Sequence, residues 1–566
     1  MKKIISVILS VAILFSLIAV GFTANSDDAT TTTFAVASDL HYVEPREELD
    51  GPIDDPIYWY ANRRAAMEDE SSFIIDEFLR QCAEDDSVEF VLIPGDIVND
   101  GRTVVQQHLD MAEKLKKFEA ESGKPVYVIN GNHDNGAADI DFKYNDFIDN
   151  YYQFGYDEAI ATMEGNCSYV AELNDEYRLI AVDSCDPTKS TEDGMTADRV
   201  DWVLAQAAKA KEDGKYPILM MHHNLLDHLP VQRILSRNFI IRTHFTTAEK
   251  FANAGIKLVF TGHEHCSDAA TYTSTRGNKI YDFATTSLTM YPTQYRVFNL
   301  TPDEIKYESR TVDKIDTDAL TAAVSGYTQE HIDLMNAGFN AYAKGFLKAG
   351  VQYRLALGMT MEKIGIAEGE PFYNLVNTAV TGLTDILEAP LYGEEGSVEA
   401  LAAEYGVELP KTDYKTGWDL AMELVGAHYA GEEDFPLDSA PISVFFKVVA
   451  LILRDDLAGI ADDVLLGAVH ELLGLENGIT TEITQLCTKL MGRATAVEYL
   501  LLAIASPLLY EFTGDNDGVP DNDGTIPGYA VGATAGDVFD NISNIISKIF
   551  EYFSLFISYI LKVFAF

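Results

Sequence analysis

Basic residues are what this 566-residue chain most lacks: 41 Lys and Arg stand against 89 Asp and Glu, a net charge of −48. A surface that acidic repels phosphate backbones at long range, so no nucleic-acid polymer is expected as a partner. Cysteine is scarce too. Cys82, Cys167, Cys185, Cys266 and Cys487 are odd in number and show no Cys-x-x-Cys spacing, so neither a disulfide framework nor a thiolate zinc site is implied. A Cys167–Cys185 pair stays open. No internal repeat is evident, and the strongly apolar stretch 442–453 is too short to span a bilayer, so it reads as a core helix.

What is present points to a folded, exported chain. A hydrophobic content of 47% is incompatible with wholesale disorder, and the length allows two or more domains. Lys2 and Lys3 precede an apolar run over residues 4–20, and Ala19-Val20-Gly21 supplies small residues for cleavage. Residues 1–24 therefore read as an export signal, which makes the protein secreted or extracellular; an uncleaved anchor is the alternative. No Cys follows the run, so a lipoprotein signal is not supported.

Short apolar strands are expected at 33–37, 88–93, 125–129, 168–172, 178–183, 217–221 and 256–260, with helical periodicity at 64–82, 104–118 and 197–210. Strands alternating with helices predict a layered α/β domain over residues 30–313. Residues 42–59 read as a loop over its crevice. From 314 to 510 helical periodicity prevails with few strand signals, which predicts a separate all-α domain. Residues 511–536 read as an acidic linker. Its Asp-x-Asp-Gly doublets resemble the start of a calcium loop but lack the distal Glu of an EF-hand, so a solvated hinge is expected.

Residues 537–566 place Ile542, Ile549, Phe553, Phe556 and Ile560 on one face of an amphipathic helix. That face can pack on the chain, dock on a partner, or contact a membrane surface or cell envelope. Only Lys548 and Lys562 stand as cations on its polar side, which weakens the membrane alternative.

The chemistry concentrates where strands end. Asp39 and His41, then Asp96, then Asn132 and His133, then His222, then His263 and His265 each follow an apolar strand. Strand ends of an α/β sheet open on the crevice where such folds keep their ligands. Carboxylate, amide and imidazole groups gathered there suit two divalent ions of the Mn, Fe or Zn type, with one carboxylate bridging. As unpaired core residues, so many polar groups would be costly. His223, Asn224, Asp227 and His228 fit substrate contact or loop support equally well. Glu264 and Cys266 are expected to point away, and His108, His244, His331, His428 and His470 belong to no motif.

In order, Asp-x-His, Gly-Asp-x-x-x-Asp-Gly, Gly-Asn-His-Asp, His-His and Gly-His-x-His resemble the calcineurin-like metallophosphoesterases over residues 33–312. The run Met221-His222-His223-Asn224 further resembles secreted bacterial members that act on phosphodiesters and carry a helical C-terminal domain. The resemblance implies a four-layer α/β/β/α sandwich of two mixed sheets. It implies that Asp39, His41, Asp96 and His265 hold one ion, and that Asp96, Asn132, His222 and His263 hold the second. It also implies that His133, paired with Asp134, is the proton donor; beside it, His223 and Asn224 are the candidate substrate contacts, with loop support as the alternative.

Two departures narrow the subclass. Protein Ser/Thr phosphatases carry an Arg in the Gly-Asp motif where this chain has Asp100. Purple acid phosphatases use a Tyr ligand where this chain has Asn99, and they lack the Asp-x-His that His41 completes. The expected function is hydrolysis of small phosphodiesters, cyclic nucleotides among them, by in-line attack of a metal-bridging hydroxide. Phosphomonoesterase activity, or a surface interaction protein with a vestigial metal site, are the alternatives.

Overall fold

The computed structural model describes residues 31–49, 66–136, 140–189, 191–228, 237–352, 387–393, 395–436, 438–460 and 519–532, with isolated positions 232, 368, 377, 498 and 537. The export signal, most of the loop over the crevice, residues 461–497 and the tail helix lie outside the described residues.

The first half of the chain runs β1 (Thr32–Val36), α1 (Ser71–Glu84), β2 (Phe90–Ile93), α2 (Val105–Ser122), β3 (Val126–Val128), α3 (Tyr144–Asn150), β4 (Ala161–Thr162), β5 (Tyr169–Glu172) and β6 (Tyr177–Ala181). It continues with α4 (Ala197–Glu212), β7 (Tyr216–Met220), α5 (His244–Ala254), β8 (Leu258–Thr261), β9 (Asp268–Thr273), β10 (Lys279–Ala284), β11 (Gln294–Leu300) and β12 (Glu304–Thr311). After these come α6 (Thr317–Ala323), α7 (Gln329–Ala337), α8 (Phe339–Gln352), α9 (Val398–Glu404), α10 (Gly417–Ala430), α11 (Ala440–Ile460) and β13 (Asp523–Pro527).

Two mixed sheets result, ordered β13-β12-β11-β1-β2-β3 and β4-β5-β6-β7-β8-β10-β9. Their face-to-face packing follows from the period of two in strands that read as continuously apolar. In β7, Ile218 and Met220 point into the core between the sheets, while Leu219 points to the opposite face; in β8, Leu258 and Phe260 point inward and Val259 outward. Phe34 of β1 meets Phe260 edge-on at 5.5 Å, so aromatic rings join the two inner faces. Outside, Ile74 and Phe78 of α1 and Met111 and Leu115 of α2 cover the first sheet. Val200 and Val203 of α4 and Phe251 of α5 cover the second. This is the expected calcineurin-like α/β sandwich.

The later helices depart from the expected independent domain. Leu320, Val324, Met335, Phe339, Tyr342 and Phe346, from α6 to α8, join the same core as the first sheet. Among the described residues a second helical core gathers around Leu391, Val398, Leu420, Val444 and Leu451 of the α9–α11 region, while Met422 and Ala430 of α10 join the first core. An apolar stripe at helical spacing announces a buried face without announcing its partner. Among the described residues no helix is long and apolar enough to cross a membrane.

The described part of the expected linker also differs. Asp523–Pro527 is a strand, β13, paired antiparallel with β12. Just before it, Asp521 Oδ1 accepts from the Ala269 amide at 2.8 Å, and Asn522 Nδ2 donates to the carbonyls of Ala430 (2.7 Å) and Gly431 (2.9 Å). Acidic and glycine-rich composition hid a strand whose edge pairing is made by backbone groups. The four described cysteines are buried and unpaired, so Cys167 and Cys185 form no disulfide.

Candidate metal centre

Each strand that carries a motif stops short of it, and the residues beyond turn into one crevice. Backbone hydrogen bonds stitch these ends together: Asp39 N to Gly95 O, His41 N to Asp96 O, and Gly262 N to His222 O, at 3.0–3.2 Å. Two motif glycines exist because the chains approach so closely. A Cβ on Gly131 would lie 2.1 Å from Asp96 Oδ1, and one on Gly262 would lie 2.0 Å from Ser38 Oγ and 2.2 Å from Asp39 Oδ2.

The backbone at these turns is left-handed at residues that are not glycine. Among the described residues six non-glycine positions have positive φ, and five of them are Asp39 (50°), His41 (41°), Asp96 (47°), His263 (68°) and His265 (61°). Each such position costs about 1–3 kcal/mol and persists where the surrounding structure enforces it, which is characteristic of ligand-holding sites. Five of the seven residues expected to bind metal are therefore held in a conformation that packing alone would not select.

Their side chains converge. Asp39 Oδ1 lies 3.2 Å from His265 Nε2 and 3.8 Å from His41 Nε2. Asp96 Oδ2 lies 3.3 Å from His222 Nε2 and 3.9 Å from His41 Nε2. His222 Nε2 is also 3.1 Å from both Asn132 Oδ1 and His263 Nδ1. Asp39, His41 and His265 thus form one donor group and Asp96, His222 and His263 another. Asp96 faces both.

These residues fit a divalent cation. Asp39 Oδ1 and Asp96 Oδ2 are buried carboxylate oxygens that accept no hydrogen bond. Their other oxygens are occupied, Asp39 Oδ2 by Ser38 Oγ (2.6 Å) and the His263 amide (3.0 Å), Asp96 Oδ1 by the His133 amide (2.8 Å). Burial opposes ionisation of both groups, yet the facing imidazoles, His265 for Asp39 and His222 for Asp96, outweigh it and hold both below the usual carboxylate value. Burial likewise disfavours a charged His222, but Asp96 and then Asp39 push its pKa up to about 9; His41 falls to about 3 through burial and the neighbouring His133. The carboxylates demand positive charge at this point, which a proton or a divalent cation supplies. His222 Nδ1 donates to Pro94 O at 3.0 Å, which leaves Nε2 as the ligating atom.

His133 stands at the open side, a quarter exposed, with Nε2 3.9 Å from Asp96 Oδ2. The expected pairing with Asp134 is not present. Instead His133 Nδ1 donates to the Asn99 carbonyl at 2.6 Å. Asp134 folds back under its own turn, where Oδ2 accepts from Gly131 N (2.7 Å) and Oδ1 from Val98 N (3.1 Å). Burial, and then Asp96 nearby, push its pKa up to about 8. A turn of four residues brings the fourth side chain beneath the first amide, so adjacency in sequence separated these two groups in space. Asp134 thus ties the turn at Gly131 to the Val98 backbone.

The expected substrate contacts His223 and Asn224 are not at the open side either. Both are fully buried. His223 has Ser184 Oγ at 3.0 Å and Thr191 O at 3.4 Å on its two ring nitrogens, and burial pushes its pKa down to about 3. Asn224 Nδ2 donates to Thr261 Oγ1 (2.9 Å) and Gly262 O (3.1 Å), tying the His222 strand end to the His263 strand end. Residues with no sequence signal complete the surroundings. The carbonyls of Pro94 and Asn99 orient His222 and His133, Phe239 stacks on His263 at a 4.3 Å ring separation, and Met290 Sδ lies 3.1 Å from His265 Nδ1. Backbone carbonyls leave no mark in a sequence, and Phe239 and Met290 lie outside every motif.

Residues 32–267, which carry all of these motifs, match the sequence model of the family described as Calcineurin-like phosphoesterase. This segment belongs to that family. Calcineurin-like phosphoesterases are phosphoric ester hydrolases, and the family together with the donor groups above points to a divalent metal site. Among solved structures the chain is similar to a dimetal phosphatase from Danio rerio, with 13% identity, 50% of this chain and 97% of that one covered, and a TM-score of 0.37. It is also similar to the purple acid phosphatase PPD1 of yellow lupin, with 9% identity, 50% and 52% covered, and a TM-score of 0.32. The NAD nucleotidase of Haemophilus influenzae is similar at 12% identity, with 58% and 61% covered and a TM-score of 0.28. No curated protein matches the chain.

Proposed function

We propose that this chain is an exported phosphodiesterase with a dinuclear metal centre, acting on small phosphodiesters that include cyclic nucleotides. The observation that carries the reading is Asp96, whose one unbonded carboxylate oxygen faces His222 of one donor group and His41 of the other. Asp39, His41 and His265 would hold one ion, Asn132, His222 and His263 the other, with Asp96 between them. When bound, such ions neutralise charge on the phosphoryl oxygens and make water a nucleophile at neutral pH.

The chain's own residues supply the rest. His133 donates its Nδ1 proton to the Asn99 carbonyl, so the doubly protonated imidazolium would pass its Nε2 proton to the leaving oxygen and remain as the neutral Nδ1–H ring. The Asn99 side chain, separate from the carbonyl that meets His133, donates to Asp100 (3.0 Å) and Glu68 (3.4 Å), which places two carboxylates at the same residue. A phosphomonoester carries close to two negative charges at neutral pH, whereas a diester carries one. An acidic chain with acidic groups beside Asn99 disfavours the more highly charged substrate. Export is supported by the apolar run behind Lys2 and Lys3.

The test compares hydrolysis of a nitrophenyl phosphodiester with that of the monoester, using the manganese-loaded chain. Preference for the diester supports the proposal. Preference for the monoester replaces it with a phosphatase at the same site.

A further inference from the structure

The family match ends at residue 267, yet the loop that carries His263 and His265 is held from beyond it. His265 Nε2 faces Asp39 at 3.2 Å, and its other nitrogen, Nδ1, lies 3.1 Å from Met290 Sδ. A thioether accepts hydrogen bonds and cannot donate them, which fixes the tautomer that leaves Nε2 free to ligate. Met290 is buried in a small cluster with Ala66, and Tyr429, at the end of α10, packs against that cluster.

The same helix end grips the loop directly. Ser267 N donates to the Tyr429 carbonyl at 3.1 Å. The left-handed cap Gly431 (φ 63°) sits so close to Ser267 that an added Cβ would lie 2.2 Å from its carbonyl oxygen. Ser267 Oγ receives a hydrogen bond from the fully buried Arg296 at 3.0 Å, and Arg296 also donates to Asp521 O at 3.2 Å. Two residues after Ser267, the Ala269 amide is capped by Asp521.

We propose that the helical region completes the metal centre, with Met290 as the positioning residue of His265 and Tyr429 as the support of Met290 and Ser267. The inference rests on the metal reading of the site given above. A thioether is a weaker acceptor than the carbonyl that orients His222, so His265 is the less basic ligand. The ion held by Asp39, His41 and His265 is accordingly the looser of the two.

Manganese titration of the full chain, read by elemental analysis of bound metal, tests this. His265→Ala defines which ion depends on this ligand. Met290→Leu, which removes the acceptor, and Tyr429→Ala are expected to weaken that same ion by about tenfold, the lower end of the cost of losing an outer partner of a ligand. The other ion stays as in the native chain. Met290→Gln restores an acceptor and keeps the affinity. Leu391→Ala, in the separate core of α9–α11, lowers thermal stability and leaves both ions in place. If Met290→Leu binds both ions as tightly as the native chain while His265→Ala loses one, the inference is overturned and the metal site stands. If Leu391→Ala loses the ion as Tyr429→Ala does, the effect is general destabilisation and the inference also falls. If the native chain takes up no ion, the metal reading itself fails.

Discussion

The Nε2 atoms of His41 and His265 lie 3.2 Å apart, and both face the unbonded Oδ1 of Asp39. A single proton between them would satisfy only one ring, and burial opposes a charge on His41. A shared divalent ion satisfies all three groups at once. Asp39→Asn is therefore expected to lower metal-dependent turnover by more than about 100-fold, the upper cost of losing a mere outer partner. Turnover within tenfold of the native chain would remove Asp39 from the ligand set.

His133 is expected to matter in proportion to the leaving group. His133→Gln should slow hydrolysis of a diester with an alkyl leaving group by about 10²–10⁴-fold. A nitrophenyl leaving group departs without a proton and should lose much less, and bound metal should be unchanged. Equal losses on both substrates would mean that His133 binds or positions and does not donate the proton.

Crowding at the turns gives a third expectation. Gly262→Ala inserts a Cβ 2.0 Å from Ser38 Oγ and 2.2 Å from Asp39 Oδ2, so Asp39 must move. The expected outcome is lost metal binding with a stability loss of about 1–3 kcal/mol, as overpacking costs. Urea unfolding together with metal analysis checks both parts. Native metal affinity in this variant would show that the turn yields without moving the carboxylate.

Away from the centre, His228 sits between Asp268 (2.5 Å) and Asp282 (3.1 Å) with no exposed surface. Burial works against its charge, but Asp282 and then Asp268 overcome it and push the pKa up to about 10. A pKa raised on folding means that the folded chain binds the proton more tightly than the unfolded one, whose His titrates near 6.5. The stabilisation is whole below about pH 6.5 and is lost as pH rises through about 10. His228→Asn, which leaves the buried Asp282 without its charged partner and facing the partly exposed Asp268, should cost about 3 kcal/mol at pH 6. Urea midpoints at pH 6 and pH 10 should differ for the native chain and much less for the variant. Equal pH dependence in the two would refute the assignment.

The five strand-end motifs were legible in sequence because an apolar strand, a glycine and a metal-type side chain form a pattern that repeats. The same logic carried the two sheets, since continuous apolar strands between amphipathic helices leave few other layers. What was not legible travels through groups without a signature. The Asn99 carbonyl accepts the His133 hydrogen bond that the resemblance had assigned to Asp134, and Asn224 turned inward to Thr261 and Gly262. The strand Asp523–Pro527 hid in an acidic, glycine-rich stretch because backbone pairing, and not its side chains, places it. Met290 had no motif, and only the folded chain sets its sulfur beside His265.

In the proposed function Asp96 joins two ions into one catalytic centre. The most direct measurement is bound manganese per chain, together with diester turnover, for the native protein and Asp96→Asn. Two ions with turnover in the native chain, against loss of both ions' tight binding and of turnover in the variant, is the expected result. Turnover by Asp96→Asn at the native rate, or by a chelator-treated native chain, would contradict it.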